Sequence, residues 1–114
     1  MGVFRILLVV LFATICGYTA IVIANHGFGL FAIFFGDIAE MGWPGQFNVD
    51  FTGFLMLSAL WLAWRHHFSP VGIALGVLGF FGGAPVLTAY LFFASLDASG
   101  DSKELLLGKV RANS

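Results

Sequence analysis

Residues 70–96 read PVGIALGVLGFFGGAPVLTAYLFFASL, and how this stretch is taken decides the fold. It carries no charged residue. It is longer than the roughly 20 residues that cross a hydrocarbon core about 30 Å thick. Gly72, Gly76, Gly79 and Gly83 recur at spacings of four, three and four, which puts them on one helical face. Gly72 to Gly76 is a GxxxG, and such a stripe lets a second helix backbone come close. Pro85 removes a backbone donor and crowds the carbonyl of Phe81, so a kink is expected there. The reading is a single span, kinked and tilted, with Gly72, Gly76, Gly79, Gly83 and Pro85 as its packing residues.

Upstream, residues 47–66 form a second apolar segment. Trp61 and Trp64 fall near its far end, and Arg65, His66 and His67 follow. Aromatic and cationic residues at that level are interface anchors, as is Trp43 at the other end. Ser69-Pro70 marks a tight turn and a new helix start. Before the segment stands GWPGQFNVDF, residues 42–51. Trp43 and Pro44 shape the turn into it, and Asn48 or Asp50 is expected to cap it. The helix dipole favours a carboxylate there by roughly 0.3–1 kcal/mol. The competing reading makes Asp50 an intramembrane carboxylate paired with His26.

The first segment, residues 3–24, is apolar except for Arg5. A signal peptide is its rival reading. No convincing small-x-small cleavage site follows, and Ile15 spoils a lipobox before Cys16, so a retained helix is expected. Between segments one and two, FGLFAIFFGDIAEM (residues 28–41) places Phe31, Phe34, Phe35, Ile38 and Met41 at helical spacing, with Asp37 and Glu40 elsewhere on the wheel. This predicts a short interfacial helix lying Phe face down. The tail from residue 97 is polar at first, with a short amphipathic helix expected around residues 103–110.

Composition agrees. Of the 114 residues, 60% are hydrophobic and 10% charged, against about 25% charged in soluble domains. A net charge of -1, with no run of Lys or Arg, offers no surface for nucleic acid. The single Cys forms no internal disulfide. The first connection has two acids and no Lys or Arg, whereas Arg5 and Arg65 flank the other side. The positive-inside rule then places the N-terminus in the cytoplasm and the C-terminal tail in the periplasm.

Candidate chemistry is sparse. His26, Asp37, Glu40 and Asp50 share one predicted membrane side and form a candidate polar or ion-pair site, with no diagnostic metal spacing. His66 and His67 point about 100° apart on a helix and cannot clamp one metal together, so no metal site is expected. A lone membrane His can ligate a haem or chlorin from one side. No P-loop, HExxH or CxxC is present. Thr14, Ser58 and Thr88 are expected to hydrogen-bond within or between helices. The phenylalanines suit lipid contact and packing, or a groove for a quinone or pigment.

FNVDFTGFLMLSALWLAWR (residues 47–65) followed by GGAPVLTAYLFFAS (residues 82–95) resembles a group of small uncharacterised (domain-of-unknown-function) multi-helix bacterial inner-membrane proteins. Asp50, Arg65, Ala84-Pro85-Val86 and Tyr90-Leu91 carry the resemblance, which covers about residues 25–95. It implies a three- or four-helix membrane fold and no activity. The expectation is therefore one all-α integral membrane domain over residues 1–114, with three transmembrane helices and an interfacial helix between the first two. The expected function is a non-enzymatic accessory or assembly subunit of a larger inner-membrane complex, packing through the glycine-striped helix. Alternatives are a binding protein for an apolar ligand (quinone, carotenoid or lipid) and a homo-oligomeric proton or ion pathway. Expected partners are membrane lipids and other membrane subunits or a second copy of the chain, with no nucleic acid. No cofactor is expected beyond a bound lipid, quinone or pigment.

Overall fold

The computed structural model describes residues 2–113. Of the described residues 86% are helical, and no strand occurs among them. Helix α1 spans Gly2–His26, α2 Leu30–Glu40, α3 Trp43–Arg65, α4 Pro70–Gly82 and α5 Ala84–Asp97. Two short helices, α6 (Ser102–Leu107) and α7 (Lys109–Ala112), follow. Helices α1 and α3 are long and apolar enough to cross a membrane.

Each boundary has a local cause. Helix α2 stops at Met41, a left-handed residue at φ 61° whose N–H donates to Ile38 O. Helix α3 then starts four residues earlier than the apolar run suggests. Gly42 is its extended N-cap and Pro44 sits in its first turn, where the missing N–H costs nothing. Asp50 is therefore in the second turn and exposed. It is not the cap, which corrects the expectation. Asn48 is not the cap either: its side-chain amide donates to Phe34 O at 3.1 Å and ties α2 to α3. Gly45 is buried at that crossing, where a Cβ would collide with the Asp37 carbonyl. The expected Phe face of α2 is split. Phe34 and Ile38 are half-buried, while Phe31 and Phe35 stay exposed.

Residues 70–96 are two helices, not one kinked span. Ser69 caps α4 by accepting from the Gly72 N–H at 3.1 Å. Gly83 breaks the run with φ 66° and ψ -147°, a conformation open to glycine and costly for other residues. Pro85 then stands in the first turn of α5. It opens a helix there and does not bend one. The backbone at the break is satisfied: Gly83 N–H donates to Gly79 O, Leu87 N–H to Gly83 O, and the Thr88 hydroxyl reaches Ala84 O at 2.8 Å and Pro85 O at 3.1 Å.

The chain reverses at this break. Along α4, Gly72 lies against Ala63 and His66, Gly76 against Ala59, and Gly83 near Phe51 and Leu55. Helix α4 thus runs antiparallel to α3, away from Arg65. Helix α5 comes back: Tyr90 returns to Arg65 and His66, and Ser95 reaches Arg5 near the start of α1. The tail then sits at the same end of the molecule as the N-terminus. This corrects the expected arrangement, in which the two termini lie on opposite sides. The glycine stripe is also spent inside the chain, since Gly72, Gly76 and Gly79 are buried against α3.

The molecule measures 48 × 27 × 23 Å. Helices α3 and α4 pack together, α5 packs on α1, and α2 on α3. The core lies at the end where the tail docks. Ala94, Ala98 and Leu105 form it, with Phe4, Tyr90 and Leu91 against them. Away from it, α1 is exposed, and Leu8 alone is buried among its described residues.

Candidate functional site

Side-chain hydrogen bonds between distant elements gather at the docked end, around the last turn of α3. Arg65 closes that helix, where a cation suits the dipole. Its guanidinium fork spreads over two other elements. Nε donates to Leu105 O at 2.7 Å and Nη2 to Glu104 O at 3.4 Å. Nη1 donates to Tyr90 Oη at 2.8 Å. Trp61 Nε1 donates to Leu106 O at 3.0 Å. Leu105 and Leu106 carry carbonyls that the end of a helix leaves without intrahelical partners, while Glu104 O also accepts from the Gly108 N–H at 2.8 Å. Side chains of α3 therefore cap α6.

Tyr90 is the hub between helices. Its ring stands edge-on to Trp61 at 5.9 Å and to His66 at 5.7 Å. Its hydroxyl oxygen also lies 2.5 Å from His66 Nε2. Arg65 can only donate, so Tyr90 Oη accepts from it and has its own proton left for His66. Tyr90 Oη donates to His66 in the neutral tautomer whose Nε2 carries no proton. The electrostatics agree. Burial holds the His66 pKa below its usual 6.5, and the positive charges of Arg65 and His67 push the same way.

Two further clamps flank this cluster. Arg5 Nε donates to Ser95 Oγ and Nη2 to Ser95 O, both at 2.9 Å. Ser95 is fully buried, and its hydroxyl donates a hydrogen bond to Phe92 O at 2.7 Å. Arg111 donates to Trp64 O and stands 3.9 Å over the Trp64 ring. A guanidinium over an indole face contributes about 0.5–2 kcal/mol. Trp61, Trp64, Arg65 and His66, expected as interface anchors, hold α5, α6 and α7 in place in the structure.

The other expected site does not assemble. His26 is exposed at the end of α1. Asp37 is half-buried on α2, and Glu40 is exposed at its end. Among the described residues no three His, Cys, Asp or Glu side chains group as metal ligands. Asp50 instead edges an open groove of about 400 Å³ with Ile38, Met41, Gly42, Gly45, Gln46 and Val49. Trp43 is 74% exposed and leans on Phe47. A second open groove, about 380 Å³ and walled by apolar side chains of α3 and α4 such as Met56, Leu60, Ile73 and Phe81, runs along the outside of the glycine contact.

Sequence reasoning missed Arg5, Tyr90, Ser95 and Arg111 as partners. One signal pointed to Arg111 and to the side on which the tail sits. Lys103, Lys109 and Arg111 lie in the tail, and a periplasmic tail would carry more cations than the side named cytoplasmic.

No protein-family model matches the chain, and no curated protein or solved structure matches it.

Proposed function

We propose that the chain is a non-enzymatic accessory or assembly subunit of a larger bacterial inner-membrane complex. In this reading α1 and α3 span the bilayer. Helices α4 and α5 form a re-entrant hairpin, and both termini are cytoplasmic. Charge supports the orientation. All five Lys and Arg (Arg5, Arg65, Lys103, Lys109, Arg111) stand at the docked end, while Asp37, Glu40 and Asp50 stand at the other with no Lys or Arg. That is the distribution the positive-inside rule expects. Length supports the hairpin, because the 13 residues of α4 rise about 20 Å, short of a full crossing. A turn at that depth is tolerated where protein covers it and its backbone groups are paired. Phe51, Leu55 and Thr88 provide both. The resemblance to the small uncharacterised inner-membrane proteins belongs to the same reading.

The observation that carries the subunit role is a set of helical glycines the fold does not use. A Cβ added at Gly17 in α1, Gly36 in α2 or Gly53 in α3 would meet nothing within 4 Å. A mid-helix glycine costs about 1 kcal/mol against alanine. Close approach of another helix is what such a position serves, and it replaces the α4 stripe as the partner-facing feature.

The test is extraction from the native membrane in mild detergent, with mass and absorption spectrum recorded. Co-migration with larger subunits is expected, and Gly17→Leu with Gly53→Leu should release the chain while its melting temperature holds. Migration as a small particle in the wild type, or co-migration indifferent to both changes, would sink the proposal. The same preparation tests a second reading favoured by the apolar α3–α4 groove, a binding protein for a quinone, carotenoid or lipid. That reading requires an extractable apolar compound.

A further inference from the structure

We propose that the foot formed by α6 and α7 docks anionic lipid headgroups of the leaflet it faces. The proposal rests on the membrane reading above and adds a specific lipid chemistry to it.

The cations of the docked end divide into two groups. Arg5, Arg65 and Arg111 are committed to Ser95, to the α6 carbonyls with Tyr90, and to Trp64. Lys103 and Lys109 extend outward from the foot. Lys103 is exposed, and its ammonium has no bonding partner among the described residues. Lys109 meets Asp97 at 3.5 Å, with both side chains more than half exposed, a contact that water and salt weaken readily. Two ammonium groups are therefore available to phosphate.

The apolar residues of the foot divide the same way. Leu105 and Ala112 are buried and seat it on the core, whereas Leu106 is 54% and Val110 69% exposed. Exposed aliphatic side chains interleaved with lysines mark a segment lying in the headgroup region. The chains enter the acyl boundary, and the ammonium groups snorkel to the phosphates. The clamp holds the foot at that depth, because Trp61 and Trp64, at the level where aromatic belts sit, bind it directly. Five cations against Asp97, Asp101 and Glu104 leave this end positive. A basic residue near an anionic leaflet gains about fivefold in local affinity. An acidic protein partner would use the same lysines but would leave Leu106 and Val110 unexplained.

Tryptophan quenching tests this on the full chain. Trp43→Phe leaves Trp61 and Trp64, both at the foot, as reporters. The protein is placed in vesicles of equal phosphatidylcholine and phosphatidylglycerol, with one lipid or the other brominated near the headgroup. The expected result is stronger quenching by the brominated phosphatidylglycerol, equivalent to roughly fivefold to tenfold local enrichment. Adding Lys103→Gln with Lys109→Gln should equalise the two lipids, and the paired Lys→Arg changes should restore the difference. Equal quenching in the Trp43→Phe protein overturns the proposal and turns attention to an acidic partner protein. A preference that survives the Gln pair also overturns it. Salt gives a readout free of folding effects: at ~1 M, where the Debye length is about 3 Å, the preference should collapse, and its persistence counts against the headgroup contact. Quenching by neither lipid would defeat the membrane reading itself.

Discussion

Arg65 does for the C-terminal end of α6 what a basic side chain in a helix's own last turn does elsewhere, donating to its last carbonyls, here from another helix. Its fork meets Leu105 O, Glu104 O and Tyr90 Oη at once, a geometry that a lysine ammonium does not reproduce. His66 makes this residue-scale arrangement sensitive to acid. Its pKa lies below 6.5 in the folded chain, through burial first and then Arg65 and His67. The unfolded chain therefore takes up the proton first as the pH falls through 6.5. The contribution to stability is complete above pH 6.5 and is lost below it. Protonation also removes the acceptor for the Tyr90 hydroxyl and adds a charge beside Arg65. Thermal stability and amide-exchange protection of α6 should both decline on acidification below pH 6.5, and His66→Gln should flatten that decline. An equally steep decline in the variant would place the acid sensitivity elsewhere. Little of this was legible in the sequence. Arg65 and His66 stood out as polar residues after an apolar run. Tyr90 lies 25 positions from Arg65, and no local pattern announces a partner at that separation.

Among the elements, the Gly82-Gly83-Ala84-Pro85 step is visible in the sequence as an irregularity, but it separates two helices where a kink in one is expected. A proline in an apolar run has two outcomes, a kink or a new helix start. The residues before it decide between them. Gly83, at φ 66°, leaves the helical region altogether, so Pro85 finds itself in a first turn. The two substitutions separate these cases. Gly83→Ala should cost about 1–3 kcal/mol through backbone strain, lowering the melting temperature in detergent. Pro85→Ala should be nearly neutral, because its N–H has no partner to regain at that position. A single kinked helix would reverse the order, with Pro85→Ala stabilising and Gly83→Ala harmless. The end of α3 shows a related effect. His67 at φ 60° and Phe68 at φ 53° are both left-handed, a tight reversal that delivers Ser69 to cap α4. Sequence anticipated the turn from Ser69-Pro70. It could not show that the glycine face of the next helix would close on α3, because a stripe of small residues suits an internal neighbour and an external one equally.

For the whole molecule, the hairpin changes which ends lie together. With Cys16→Ser as background, single cysteines introduced as Gly2→Cys, Ser99→Cys and Gly29→Cys can be labelled with a membrane-impermeant reagent. In inside-out vesicles the first two should label and the third should not, and in right-side-out vesicles the pattern should invert. Ser99→Cys labelling together with Gly29→Cys would restore three full crossings. The single tail helix expected around residues 103–110 is broken at Gly108 into α6 and α7. The sequence by itself determined the helical class, the apolar character of α1 and α3, the interruption at Asn25-His26-Gly27 and the turn at Ser69-Pro70. These depend on composition, periodicity and capping residues, all local in the chain. Tertiary structure alone decided that α4 turns back at Gly83, that its glycines serve α3, and that the tail is pinned by Arg65, Trp61 and Trp64. The reason is physical. Hydropathy records how much a segment avoids water, and that quantity is the same for one long span and for two half-length helices. Direction after a break is set by where buried polar groups find partners. Here Ser95 and Tyr90 find them at Arg5, Arg65 and His66, which lie behind the chain and not ahead of it.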